Sequence, residues 1–225
     1  GLGGLMYIPT IDLSLMLESI PFLLSGLGYT IGISLAAFFF GNLLGILMTI
    51  LGFVPFRLIK LFVRFYLSFL RGTPALVLLF LLYFGLPYQL NAVVAAIICF
   101  SFTSSAFIGE IYRGSIAGVN AGQWDAAYAL GNRFFPTMRY IILPQAFRIS
   151  IPALSNVAMD LLKGTSLAAM ITVPDIFQKA KIIGGRTFDY LSMYLLVALI
   201  YWLLCMGIGH IQHQLENYFQ QKYIV

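Results

Sequence analysis

The chain has 225 residues, of which 60% are hydrophobic and only 9% are charged. Because soluble domains carry about 25% charged residues, this composition leaves too few charges to cover a water-facing surface. The formal net charge is +5, but the basic residues are scattered between apolar runs and form no stripe or tail. Such scatter argues against nucleic-acid binding and favours a role in membrane orientation, so the composition indicates an integral membrane protein.

Apolar runs follow one another along the chain, and a bilayer core about 30 Å thick needs about 20 apolar residues per helix. The runs cover residues 20–54, 65–86, 92–111, 141–174 and 190–211. They predict an all-α bundle of about five spans in a single domain, residues 1–225. Four or six spans stay open, because Asp160, Lys163 and Thr165 divide the fourth run. The start lacks the basic region of a secretory signal, so we expect the first run to be retained.

The second run contains a predicted break at Arg71-Gly72-Thr73-Pro74. Proline lacks an amide donor and displaces the preceding residue from helical geometry. A broken helix at membrane depth is tolerated where protein or a cavity covers it. Arg71 is therefore expected to snorkel to an interface or to cap the freed backbone, in a structural or gating role.

The basic residues of two loops predict the orientation. Arg57, Lys60 and Arg64 precede the second run, and the long polar loop at residues 113–144 carries several arginines. Loops rich in lysine and arginine face the cytoplasm, which places the N-terminus outside and the C-terminus inside. Lys179, Lys181 and Arg186 lie in a loop that this arrangement puts outside.

Within the long loop, an alanine-rich stretch ends at Gly131, a plausible helix stop. Trp124 and Tyr128 stand at helical spacing and would offer an aromatic ridge to a partner protein. An amphipathic helix that anchors the loop to lipid explains the same pattern equally well.

Asp125, Ala126, Ala127, Gly131, Ile141, Leu143 and Pro144 match the signature loop of importer permeases of the ATP-binding-cassette class. The pattern is Glu-Ala-Ala, three residues, Gly, nine residues, Ile, one residue and Leu-Pro, and Asp125 is its one departure. The stretches 69–74, 109–114 and 163–167 also resemble polar amino acid permeases, with the cystine type most similar.

The resemblance implies a type I importer permease fold in the inner membrane, with residues that dock onto a cytoplasmic ATPase as a coupling helix: Gln123, Trp124, Asp125, Ala126, Ala127, Tyr128 and Gly131. It implies two ATPase copies, a second permease subunit that forms a homodimer with this one, an extracytoplasmic solute-binding protein and a polar amino acid substrate. No phosphate loop occurs in the sequence, so ATP and Mg²⁺ would belong to the ATPase, and this chain would hold no cofactor.

Polar residues within the apolar runs are candidates for the substrate path, since such residues are costly in a membrane. Glu110 could bind an ammonium group, or it could pair with Arg113 three residues on. Thr103 and Ser104 could line a path, although hydroxyls more often bond the carbonyl four residues back.

The fourth run offers the preferred path segment. Asp160, Lys163, Thr165 and Ser166 supply both charge signs and hydroxyls, as a zwitterionic amino acid requires. The structural alternative is an ion pair between residues three positions apart that stabilises a kinked helix. One pair could both stabilise the helix and bind substrate.

Two other function classes remain as rivals. An ion-coupled secondary transporter or channel would use the intramembrane charges as an ion path, and a membrane-embedded enzyme would need a nucleophile, an acid/base pair or a metal set. Neither a His-Glu-x-x-His nor a Gly-x-Ser-x-Gly motif is present, and His210 with His213 lacks further ligands except Glu216. We therefore expect no catalytic and no metal site.

Overall fold

The computed structural model describes residues 8–222, which form ten α-helices and no strand. A π-helical turn at Met138–Ile142 and a 3-10 segment at Thr165–Ile171 extend the helix α8 at its two ends. The helices are α1 Leu13–Leu24, α2 Leu27–Phe53, α3 Arg57–Gly72, α4 Ala75–Phe84, α5 Ala92–Ala117, α6 Ala121–Ala129, α7 Phe134–Thr137, α8 Leu143–Gly164, α9 Ile176–Thr187 and α10 Tyr190–Lys222.

Among the described residues, four helical stretches are long and apolar enough to cross a membrane: Leu27–Phe53, Ala92–Ala117, Phe134–Ile171 and Tyr190–Gln221. The helices α3 and α4 form a fifth candidate, a pair bent by 99°. The prediction of about five spans is therefore confirmed. The predicted break is also confirmed, because α3 ends at Gly72 and the Thr73 hydroxyl caps it by donating to the Phe69 carbonyl at 2.7 Å.

The helix ends differ from the ends of the apolar runs. The first run contains an interruption at Ser25 and Gly26 that separates α1 from α2. Polar residues extend other helices, since α5 continues to Ala117 and the fourth span begins at Phe134. Long polar side chains near a span end reach the interface while their backbone stays helical, so the connection between these spans is shorter than the polar stretch suggested.

Close packing between α2 and α5 forms the centre of the bundle. A Cβ added to Gly41 would overlap the Ser104 Oγ, and one added to Gly45 would lie 2.7 Å from the Ile108 Cγ2. Small residues let membrane helices approach in this way and gain van der Waals contact. Gly28 and Gly32, which share the same spacing, face open space instead.

Two apolar clusters flank this central pair of helices. One cluster joins α2, α4 and α5 to the 3-10 segment, with Leu79 and Ile171 among its fully buried members. The other joins α1, α9 and α10 around Leu23, Ile176 and Met193. The fold thereby fixes the 3-10 segment between the central spans and the last span.

Candidate functional site

A cavity of about 310 Å³ opens beside the break between α3 and α4. It is lined from α3 and the break by Leu70, Arg71 and Thr73, from α5 by Thr103, Ser104 and Phe107, and from α8 by Val157, Asp160 and Leu161. Three residues of the predicted path, Thr103, Ser104 and Asp160, therefore come together here although they lie on two helices.

Asp160 and Lys163 form an ion pair, with 3.1 Å between the Lys163 Nζ and an Asp160 carboxylate oxygen. Their side chains are 74% and 58% exposed, respectively. The described part of the chain leaves both charges accessible, so either charge can exchange its partner for a ligand group. The pair can meet both charges of a zwitterion.

The hydroxyls on α5 are almost buried and bond to their own helix. Thr103 donates to the Cys99 carbonyl at 3.0 Å, and Ser104 donates to the Ser101 carbonyl at 3.2 Å. A hydroxyl that has donated its hydrogen retains acceptor capacity. These oxygens can therefore accept a hydrogen bond from a cationic ligand group in the cavity.

Four predicted path residues are not among those that line this cavity: Glu110, Lys163, Thr165 and Ser166. The Glu110 carboxylate bonds the Arg113 guanidinium at 2.7 Å, the alternative considered from the sequence, and Glu110 does not line the cavity. Thr165 is fully buried and donates to the Leu162 carbonyl at 2.7 Å. Thr165 turns inward toward Tyr201 of α10, and its place on the substrate path stays a prediction.

Ser166 is half-buried and donates to the Lys163 carbonyl at 2.8 Å. Arg71 and Thr73 were not expected on the path from the sequence, yet both line the cavity. The Arg71 guanidinium lies 5.8 Å from the centre of the Phe107 ring. The proline break was the available signal, because a break exposes the polar residues beside it.

A larger cavity, about 630 Å³, lies among α2, α8 and α10. Its lining is mainly apolar, with Leu35, Phe38, Leu154 and Ile208 among its residues. Such a surface does not compensate the loss of water by a charged solute. The smaller cavity at Asp160 is therefore the better candidate for a polar ligand.

The second candidate site is the short helix α6 between the third and fourth spans. The Asn120 side chain caps its start by accepting from the Gly122 amide at 2.8 Å. Gly131 ends it with a φ of +81°, a conformation that glycine adopts without strain, and the Asn132 amide donates to the Ala127 carbonyl at 3.0 Å. The predicted helix stop at Gly131 is confirmed.

Trp124 is partly buried, and its ring lies 6.0 Å from the ring of Tyr128, which is exposed. The Trp124 ring stacks on Phe134, with 5.8 Å between ring centres, and contacts a cluster around Val119 and Ile142. Gln145 on α8 adds a link by donating to the Gln123 side-chain oxygen at 3.2 Å. These contacts fasten α6 to both neighbouring spans.

The opposite face of α6 is open. Gln123, Asp125, Ala126 and Tyr128 are exposed, whereas Ala127 is buried. Leu130 and Phe135 are also highly exposed, at 83% and 82%, and add apolar surface beside Tyr128 that the sequence analysis did not single out. An apolar and acidic surface of this kind suits a protein groove better than bulk water.

A buried polar cluster lies between the first and last spans. Asp175 caps α9 at the Gln178 amide, 2.8 Å away, and is fully buried. The Ile176 amide donates to the Thr30 hydroxyl at 3.3 Å, and the Tyr201 hydroxyl faces Thr30 and Thr165. Asp175 lies between the spans that end at Ile171 and begin at Tyr190, and burial raises its pKa to about 7.

No group of three or more histidine, cysteine or acidic residues gathers within residues 8–222. His210 bonds Gln214 at 2.9 Å, and Gln212 bonds Glu216 at the same distance. These side chains make helix-surface contacts at the end of α10.

Residues 41–218 match the family described as the binding-protein-dependent transport system inner membrane component. The chain belongs to this family and has the type I fold of importer permeases. It is an inner-membrane subunit of a transporter in which ATP hydrolysis resides in a separate subunit and a solute-binding protein takes part.

Two relatives from Bacillus subtilis (strain 168) and one solved structure are similar along most of the chain. The probable amino-acid ABC transporter permease protein YckA is 49% identical over 206 residues, covering 90% of this chain and 91% of its own. The L-cystine transport system permease protein TcyB is 40% identical, covering 88% and 86%. The crystal structure of an amino acid ABC transporter with histidines superposes with a TM-score of 0.88 at 32% identity, covering 93% and 99%.

Proposed function

We propose that this permease carries a polar amino acid across the inner membrane by alternating access, exposing the cavity at Asp160 to each side in turn. The printed names of YckA, TcyB and the solved transporter support an amino acid, and TcyB makes cystine the first substrate to test. The observation that carries the proposal is the Asp160–Lys163 ion pair, of which Asp160 lines the cavity beside the break between α3 and α4.

In this proposal the two charges of the pair exchange partners when substrate enters. Asp160 receives the ammonium group and Lys163 receives the carboxylate, while Thr103 and Ser104 accept further hydrogen bonds from the ammonium group. Thr165 and Ser166 would then hold the path segment in shape, Thr165 from within the bundle, and Glu110 would act through its ion pair with Arg113.

The α6 surface would be the contact with the ATPase. Exposed Gln123, Asp125, Ala126 and Tyr128 would enter a groove on the cytoplasmic ATPase, with Trp124, Ala127 and Gly131 keeping the helix in shape. We infer two ATPase copies under a pair of identical permeases, with the N-terminus outside and the C-terminus in the cytoplasm. Nucleotide-driven closure would then move the spans.

The test is reconstitution of the complete transporter in proteoliposomes with ATP enclosed. Uptake of labelled L-cystine is measured with and without the solute-binding protein, and other amino acids are added as competitors. We expect uptake that requires both ATP and the binding protein. The variant Asp160→Asn should reduce it, whereas Asp12→Asn, which alters an exposed acid at the start of α1, should not.

Two outcomes would contradict the proposal. Uptake that persists without ATP but follows an ion gradient would indicate secondary transport. Competition by sugars or inorganic anions, but by none of the amino acids, would exclude amino acids as the substrate class.

A further inference from the structure

The strongest unused feature of the molecule is the buried carboxyl group of Asp175. Its side chain is fully buried where the start of α9 meets α2 and α10. The approach is close, since a Cβ on Gly26 would overlap the Asp175 carbonyl group. The substrate cavity and the ATPase surface do not use this residue.

One carboxylate oxygen of Asp175 has a hydrogen-bond partner and the other has none. The Oδ1 accepts from the Gln178 amide at 2.8 Å, whereas the Oδ2 is buried without a hydrogen-bond partner. Two other buried oxygens in the described chain also lack partners, the Gln178 Oε1 and the Tyr201 hydroxyl. The carboxylate oxygen and the amide oxygen only accept, whereas the Tyr201 hydroxyl can donate a single hydrogen. One donor therefore serves two acceptors, and the group is one donor short.

The groups that face Asp175 supply little positive charge. Tyr201 of α10 and Lys181 of α9 interact with it electrostatically, and α2 and the 3-10 segment contribute the hydroxyls of Thr30 and Thr165. The two ion pairs within 4 Å found in residues 8–222 do not include Asp175. Burying an unpaired carboxylate is costly, and protonation removes that cost.

We propose that Asp175 carries a proton in the folded permease and, as a neutral acid, is a positioning residue that holds the path segment against α2 and α10. The proton resides on Oδ2 and provides the missing donor, while Oδ1 continues to cap α9. Loss of the proton leaves an uncompensated charge between the helices. The 3-10 segment begins two residues after Lys163 and is joined to α9 by residues 172–175, and it then moves away from Tyr201.

The positioning role rests on the proposed transport function, but proton binding can be measured separately. The raised pKa means that the folded state binds a proton that the unfolded state releases above its ordinary pKa of about 4. Stability therefore falls as pH rises from about 4 to about 7, by up to about tenfold in the folding equilibrium per pH unit, and levels off above.

The first experiment measures the apparent melting temperature of the complete transporter in nanodiscs between pH 5 and pH 8.5. We expect the difference in melting temperature between Asp175→Asn and the unmodified protein to grow in favour of the variant up to about pH 7. The matched control is Asp12→Asn, because Asp12 caps α1 through the Leu15 amide at 2.9 Å but is exposed. The melting temperature of Asp12→Asn should change with pH in the same way as that of the unmodified protein.

Asp175→Ser provides a second neutral cap in case the asparagine variant does not fold. Parallel pH profiles for the unmodified protein and both neutral variants would overturn proton binding. The second experiment compares the pH profiles of uptake, where the unmodified protein should lose activity on passing pH 7 and Asp175→Asn should lose less.

Identical uptake profiles combined with different melting profiles would overturn the positioning role alone. Absence of amino acid uptake in every variant would contradict the proposed function and leave the melting result to decide proton binding.

Discussion

Gly41 of α2 lies against Ser104 of α5 so closely that no methyl group fits between them. We expect Gly41→Ala to destabilise the bundle by about 1–3 kcal/mol, because overpacking forces neighbouring helices apart. Thermal unfolding in detergent would measure the loss. Gly32→Ala is the matched control on the same helix, since an added Cβ there meets nothing within 4 Å, and it should be neutral or slightly stabilising. Equal effects of the two variants would contradict this packing.

The Asp160–Lys163 pair gives a prediction on transport without loss of stability. Asp160→Asn and Lys163→Gln should each lower the transport efficiency at least about tenfold, equivalent to about 1.4 kcal/mol. Because both side chains are exposed, the melting temperature should change little. Efficiency is measured as the initial rate of uptake at low substrate concentration. An unchanged rate in both variants would remove the pair from the substrate path.

Trp124 and Tyr128 should respond differently although they are neighbours on α6. Trp124→Ala removes the stack on Phe134 and should destabilise the loop, so that both ATP hydrolysis and uptake fall. Tyr128→Ala removes an exposed side chain and should weaken the contact with the ATPase while the permease keeps its melting temperature. Tyr88→Ala is the control, because Tyr88 is 63% exposed beyond the opposite end of α5. A loss of the same size in Tyr88→Ala would refute the assignment.

Asp125 should couple hydrolysis to movement. Replacing it by lysine reverses an exposed charge on the surface that we assign to the ATPase contact. We expect the assembled transporter to hydrolyse ATP without matching uptake, which a parallel phosphate-release and uptake assay would detect. Normal uptake per ATP in Asp125→Lys would argue for the lipid-anchor interpretation of α6.

The orientation can be measured directly by labelling single cysteines. A cysteine at Tyr88 should react with an impermeant thiol reagent added to intact cells without their cell wall or outer membrane, and one at Ala126 only after permeabilisation. Both variants would be built in a background without Cys99 and Cys205. The reverse pattern would place the N-terminus in the cytoplasm.

Apolar runs were sufficient to predict the spans, because the length of a membrane helix follows from the thickness of the bilayer. They were insufficient for the helix ends, since Tyr112 and Arg113 remain helical at the end of α5. The break at Pro74 was predictable because the loss of an amide donor is local chemistry. The 99° angle between α3 and α4 depends on packing and was not predictable from the sequence.

The candidate site, like the fold, was predictable from the sequence only in part. Residue types identified Asp160 and Lys163, since paired charges in an apolar run are rare. The inward turn of Thr165 and the stacking of Trp124 depend on neighbours distant in sequence, such as Tyr201, or on the fold of the following segment. Asp175 had no special signal, because an acidic residue before a helix is usually an exposed cap.

The attachment of α6 on both sides has a mechanical consequence. Trp124 holds the helix to the end of α5 and the start of the fourth span, and Gln123 bonds Gln145 on α8. Further along, the same two spans carry Thr103 and Asp160 into the substrate cavity. A force applied to α6 would therefore act on two helices that also form walls of the substrate cavity, with no intervening element between the two sites.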